Sequence, residues 1–423
     1  RDAQESRGLG DVYKRQTYDG SVTATMNGNS AVYSGLVSGD TFNGSYTGVF
    51  SNANVGSGKT VTITPSYSGA DVNNYTVTNQ SSTTADISAK ALTATASTAN
   101  KTYDGGTTAT TTLTFTGLVG SETLGQTVGS TFDNKNVGSN KTVTVNSITL
   151  ADGSNGGLAA NYSISTGQTT TANITQKALT VSGITASNKT YDGSTNVSLD
   201  PSLVAYSGLV GGDTFNGTYT GAFSDKNVGT GKTVTITPSY SGADVSNYSI
   251  TNHADLTANI TVRSLTVSGV SASDKTYDGS VTATMDSSSA VYSGFVSGDD
   301  FAASYSGVFA NANVGSGKTV TITSSYAGAD VSNYNITDQT STTADISAKA
   351  LTATASASNK VYDGSSAATV TLSLSGFIGS ETVTSTNSST FNNKNAGTGK
   401  TVTVNSITLA DGSNGGLAAN YSI

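Results

Sequence analysis

Lys275-Thr276-Tyr277-Asp278-Gly279 is the stretch on which the reading of the chain turns, because its Tyr-Asp-Gly core occurs five times. The copies are Tyr18-Asp19-Gly20, Tyr103-Asp104-Gly105, Tyr191-Asp192-Gly193, Tyr277-Asp278-Gly279 and Tyr362-Asp363-Gly364, spaced by 85, 88, 86 and 85 residues. So regular a period marks a tandem array in which each repeat is one small supersecondary unit. The triplet has the chemistry of an anchored turn. Tyr brings a large ring with a polar tip, Asp can accept from turn amides, and Gly permits positive φ. These residues are expected to be a structural motif, with a ligand site built from Tyr and Asp as the alternative.

Outward from the triplet the sequence reads as strands and turns. Val61 and Ile63 alternate with Thr60, Thr62 and Thr64, the period-2 pattern of β-branched residues that a half-buried strand requires. Turn clusters separate such runs at Gly35, Gly39-Asp40, Gly56-Ser57-Gly58 and Gly69-Ala70-Asp71. No stretch carries an amphipathic helical period. Repeats meet at Lys90-Ala91-Leu92, Lys177-Ala178-Leu179, Arg263-Ser264-Leu265 and Lys349-Ala350-Leu351, where one strand-like run passes straight into the next without a flexible spacer.

The expected fold is all-β: a tandem array of small antiparallel β-sandwich units, immunoglobulin-like in preference to β-grasp-like, arranged as an elongated rod. The boundaries place repeats at 17–89, 90–176, 177–262, 263–348 and 349–423. Residues 1–16, charged where the matching stretch before Lys275 is not, are set aside as a non-native or disordered tail. The first repeat is thus expected to lack its first strand and the fifth to be truncated. Shifting the chain by 259 residues lays Tyr18 on Tyr277, Tyr103 on Tyr362 and Ile164 on Ile423, so a block of two unlike repeats is duplicated.

Composition narrows the function. Charged residues make up 11% of the 423, well below the roughly 25% of ordinary globular proteins, and a net charge of -8 with no basic run gives nucleic acid no phosphate-neutralising surface. Hydrophobic content of 35% at regular intervals argues for folded units rather than disorder. With no cysteine there is neither a disulfide framework nor a thiolate metal site. No apolar run approaches the length of a membrane span.

Each candidate chemistry has a plainer reading. Gly58-Lys59-Thr60 invites a phosphate-loop interpretation, but Ala53 stands where the first glycine belongs and V-T-I-T follows instead of a helix, so a Gly-rich hairpin turn is expected. His253 is the single histidine, which removes His-based triads and His metal clusters. Asp299-Asp300 is a carboxylate pair in one repeat only, so no repeated acid–base site is expected. Asp152-Gly153-Ser154-Asn155-Gly156-Gly157 and its copy at Asp411 offer oxygen ligands to calcium but depart from the EF-hand pattern, and an Asx turn is favoured, so no cofactor is expected. Arg263, Lys275 and Lys318 recur beside Asn313 and Asn333. Lys–Asn crosslinks are conceivable there, with solvated lysines the plainer expectation. Tyr292, Tyr305, Tyr326 and Tyr334 could offer a sugar-binding face or lie half-buried on sheet faces. No nucleophile, base or metal set recurs, and the chain is not expected to be an enzyme.

Here the resemblance becomes specific. K-T-Y-D-G, then G-L-V-S-G-D, N-V-G-S-G-K-T-V-T-I-T, G-A-D-V-S-N-Y and a closing A-D-I-S-A-K-A-L resemble the YDG-type repeat of bacterial extracellular proteins, including filamentous-haemagglutinin-like exoproteins and surface adhesins. The resemblance covers residues 17 to 423. It implies secretion, display on the bacterial cell surface, and a structural stalk that projects a binding domain. The alternative is that the repeats themselves bind glycans or host proteins. Neighbouring repeats of the same chain are the partners that the direct joints imply.

Overall fold

The computed structural model describes residues 15–423. Of the expected tail, residues 1–14 lie outside the described residues. Gln16 and Thr17 form a short strand parallel to Ile87 and Ser88, the place that Lys275 and Thr276 take in the fourth repeat.

The fourth repeat shows how the pattern becomes a fold. Strand Arg263–Ser268 runs antiparallel to Val291–Ser293 and parallel to Tyr334–Thr337, forming a three-stranded sheet. A second, five-stranded sheet begins at Lys275–Thr276, which lies parallel to Ser341–Ser347. Gly315–Ala327, Ala302–Phe309 and Thr282–Ala283 follow in antiparallel order, and the sheet curls into a half-barrel. The chain is all-β, a tandem array of such repeats. Its long ladders are antiparallel, and this repeat adds two short parallel pairs, because the body of the repeat serves as the crossover that parallel neighbours need.

Strand Gly315–Ala327 holds its length of 13 residues because its sequence alternates to the end. Val320 and Ile322 point inward and are buried, while Thr321 and Thr323 face solvent. The Gly-Lys stretch, expected to be a hairpin turn, is instead a β-bulge inside this strand. The register slips between Gly315 and Lys318, Gly317 takes φ +58°, and its N–H donates to Asp345 Oδ1 at 2.7 Å.

Two cores meet on that strand. Ile322 packs with Val267 and Val270, rimmed by the half-buried Tyr292, Tyr305 and Tyr326, in a core closed within the repeat. Val320 packs with Tyr277, Phe309 and Ile346, but also with Leu351, Val383 and Tyr421 of the fifth repeat. The first repeat does the same with Leu92 and Tyr162 of the second.

The chain forms two compact units. One comprises the residues up to Gly183 with Val204–Thr218 and Pro238–His253, and the other comprises Ile184–Leu203, Tyr219–Thr237 and Ala254–Ile423. The division runs through the third repeat, and every joint described below lies inside one unit. Among the described residues no helix is long and apolar enough to cross a membrane.

Candidate functional site at the repeat joints

The Tyr-Asp-Gly triplets sit where repeats meet. Tyr18, Tyr103, Tyr191 and Tyr277 are 0 to 4% exposed, whereas Tyr362 is 60% exposed. Each aspartate closes an Asx turn, as Asp19, Asp104, Asp192, Asp278 and Asp363 each accept through Oδ1 from the backbone N–H two residues on, at 2.8–2.9 Å.

A lysine three residues earlier ties the turn down. Lys275 Nζ donates to Asp278 Oδ1 at 2.7 Å and to the carbonyls of Ser280 and Thr282, and it lies 5.4 Å from the centre of the Phe309 ring. Lys101, Lys189 and Lys360 do likewise, so these lysines are not the solvated side chains the sequence suggested. That hydrogen bond is the first cause holding the carboxyls of Asp104, Asp278 and Asp363 below the usual range.

The glycines answer a second demand. Gly20, Gly105, Gly193 and Gly279 have φ between +72° and +80°, and a Cβ built on them would lie 2.7–2.9 Å from a methyl of Val119, Val210, Val296 or Ile378 in the following repeat. Gly is thus required both for its backbone angle and for the close approach of a neighbour.

Each buried Tyr then reaches a carboxylate of the next repeat. Tyr18 and Tyr162 donate to the two oxygens of Glu122, both at 2.6 Å, and their rings meet edge to face at 5.4 Å. Tyr277 and Tyr421 hold Glu381 in the same way, at 2.8 and 2.7 Å. At the other joints the acid is shorter and a lysine enters. Tyr103 and Tyr248 donate to Asp213, and Lys135 Nζ lies 2.9 Å from Asp213 and 2.8 Å from Asp244. Tyr191, Tyr334, Lys226, Asp299 and Asp330 repeat this arrangement.

The electrostatics follow from the geometry. Asp213 and Asp299 have side chains only 2% exposed, and each is compensated by two phenols and an ammonium group. Lys135 beside Asp244, and Lys226 beside Asp330, hold those carboxyls below the usual range, and the same contacts push both lysines up. Burial, reinforced by the neighbouring carboxylate, pushes the phenols of Tyr18, Tyr248, Tyr277 and Tyr334 up to about 12.

One further bond is common to all the joints. The N–H groups of Val55, Val137, Val228 and Val314 each donate, at 2.9 Å, to the side-chain oxygen of Asn161, Asn247, Asn333 or Asn420. These asparagines are 1% exposed. Asn333 therefore belongs to a joint, and Lys318 bonds Asn311 rather than Asn313.

The other residues singled out by sequence lie elsewhere. Asp152 and Asp411 accept from the N–H groups of Ala159 and Ala418 at 2.7 and 2.8 Å, closing turns. His253 is half-buried in the loop between strands Tyr248–Thr251 and Leu256–Thr261. Among the described residues no group of three or more His, Cys, Asp or Glu could hold a metal ion. Arg263 donates to the carbonyls of Gly294 and Tyr191.

The sequence singled out Asp299, Tyr334 and Asn333 for other roles, but not the part that they and the other joint acids, second tyrosines and asparagines play between repeats. A signal for them was there: Ala53 and Ala312 precede repeats with Glu122 and Glu381, whereas Lys135 and Lys226 precede repeats with the pairs Asp213/Asp244 and Asp299/Asp330. In the Glu repeats Leu158 and Leu417 stand where the second Asp would be. Each joint thus belongs to one of two self-consistent classes.

Comparison with protein families bears on the same residues. The model of the YDG domain matches residues 10–85, 88–172, 175–258, 261–343 and 347–423. No curated protein matches the chain.

Proposed function

Because this chain belongs to the YDG domain family, with five copies in tandem, we propose that it is a non-catalytic structural spacer within a secreted bacterial surface adhesin. The repeats would hold a separate binding domain away from the cell. One observation carries this reading: in the first four repeats the recurrent, chemically distinctive residues face the next repeat instead of an outside ligand. The triplet tyrosine, the joint acid and the joint asparagine are all satisfied within the array. Buried aromatic rings and compensated charges at a joint resist bending in a way that exposed contacts do not.

The test has two arms. The whole chain, screened against a glycan array and host extracellular-matrix proteins, should show no saturable capture. Placed on a bacterial surface between an anchor and a reporter binding domain, it should preserve capture by the reporter, with a reach that shortens as repeats are removed at their joints. Saturable capture by the repeats themselves, lost on substituting exposed side chains, would overturn the spacer reading.

A further inference from the structure

Tension applied along the chain enters a repeat at its first strand and leaves at its last, and both of these strands have a parallel partner. In the fourth repeat the entry strand Arg263–Ser268 pairs with Tyr334–Thr337, in register from Arg263 with Tyr334 to Thr266 with Thr337. The exit strand Ser341–Ser347 pairs with Lys275–Thr276, again in parallel. A single residue separates Ser347 from the strand that opens the next repeat at Lys349, so no slack chain absorbs the pull.

Further bonds fasten the exit strand. The Tyr277 N–H donates to the Ser347 carbonyl at 2.8 Å, the Asp345 N–H to Asp274 Oδ1 at 2.7 Å, and the Ser347 hydroxyl to the Lys275 carbonyl at 3.3 Å. The second repeat has the same set, from Tyr103 to Thr175, from Asn173 to Asn100 and from Thr175 to Lys101. In the third repeat Tyr191, Asn259 and Thr261 are the donors. The entry pairs recur as well, Lys177–Thr180 with Tyr248–Thr251 in the third repeat and the shorter Lys90–Ala91 with Tyr162–Ser163 in the second.

The direction of the load decides how such pairs fail. Tension draws Arg263 backward along its strand and Ser347 forward along its own, so parallel neighbours slide past each other and their bonds are loaded together. An antiparallel pair pulled apart at its open end loses its bonds one after another. We propose that the repeats bear load, each acting as a shear clamp in which sliding of the entry and exit pairs is the barrier to extension. This rests on the spacer reading and adds that the spacer works under tension. A chain that extended at low force would still hold a binding domain at a distance, so the two readings fail separately.

Force spectroscopy on single molecules of the whole chain tests this. The sequence has no cysteine, so introduced thiols fix the points of attachment. Pulled from its two ends, the chain should open in discrete steps of about 300 Å, the extended length of one repeat. About twenty glycine and serine residues inserted after the exposed Ser288 lengthen one step by about 70 Å and mark it as that of the fourth repeat. Ala302→Cys with Ala327→Cys moves the handles to the open end of an antiparallel ladder in the same repeat, where these two exposed residues face each other. That hairpin should unzip at no more than about half the force of the marked step, because forced opening follows the unfolding barrier. Ser304→Cys with Ser325→Cys, an exposed pair further along the ladder, should give the same low force. Thermal melting should be unchanged in both variants. Equal forces in the two directions would overturn the proposal, as would extension from the ends without discrete steps.

Discussion

A tyrosine can serve as a joint between repeats because its two ends have different needs. The Tyr277 ring is buried with Phe309, Val320 and Tyr421, and its hydroxyl donates to Glu381, which sits 104 residues further along the chain. Burial disfavours the tyrosinate, and the carboxylate beside it disfavours it further, so the phenol moves from its ordinary 10.0 up to about 12. Tyr18, Tyr248 and Tyr334 share the shift and its causes. The sign follows directly. A group whose folded value is raised contributes stability that is fully present below the unfolded value and is lost as pH rises through the folded one. Denaturant melts of the whole chain should therefore show stability holding up to about pH 10 and falling steeply toward about pH 12. Tyrosinate absorbance should lag the curve of free tyrosine until the protein unfolds. Full ionisation near pH 10 with the β-sheet signal intact would show that these phenols are not held as described.

Strands were the most legible elements and turns the least. Alternation of Val61 and Ile63 with threonines specified a half-buried strand, and Gly56–Ser68 is one, with both apolar residues buried. The glycines within it looked like a hairpin turn because composition marks positive φ without saying whether the chain reverses or only slips register; Gly58 makes a bulge. The lysine before the triplet was misread for a related reason. Lys is usually solvated, and nothing local reveals that the Ser280 and Thr282 carbonyls and the Asp278 carboxylate converge on Lys275. That convergence makes the lysine a fastener of the turn, with its side chain 16% exposed. Lys275→Met, which keeps the aliphatic stem over Phe309 but removes the donors, should cost about 1.5–3 kcal/mol, the range for hydrogen bonds to charged groups. Faster hydrogen exchange at the Ser280 amide should accompany it, since Asp278 would lose the contact that fixes its carboxylate. A variant with unchanged stability and exchange would return Lys275 to the class of solvated lysines.

At the scale of the whole molecule, the array is specified by rules that act between repeats. The tandem array was visible in the spacing of the triplets, but the joint partners were not, because Tyr191 and Asp299 are 108 residues apart and no local pattern links them. The link lies in matched changes between adjacent repeats. A half with lysine meets two aspartates, and a half with alanine meets one glutamate and a leucine. In both classes the charged side chains sum to minus one, and the two phenols do the remaining compensation. This makes the joint convertible. Lys226→Ala alone leaves the Asp299 and Asp330 carboxylates together in a buried site without a cation, which should cost about 3 kcal/mol or more, as breaking a buried pair does. Adding Asp299→Glu and Asp330→Leu rebuilds the joint on the pattern of Ala312, Glu381 and Leu417, with Glu now able to reach both Tyr191 and Tyr334. Chemical denaturation of the single and triple variants decides the matter. The triple variant should recover more than half of the lost stability even though it carries three changes, because interacting sites are not additive. If it is as unstable as the sum of its parts, the two classes do not interconvert, and the matching of alanine with glutamate and lysine with aspartate is not what holds successive repeats in order.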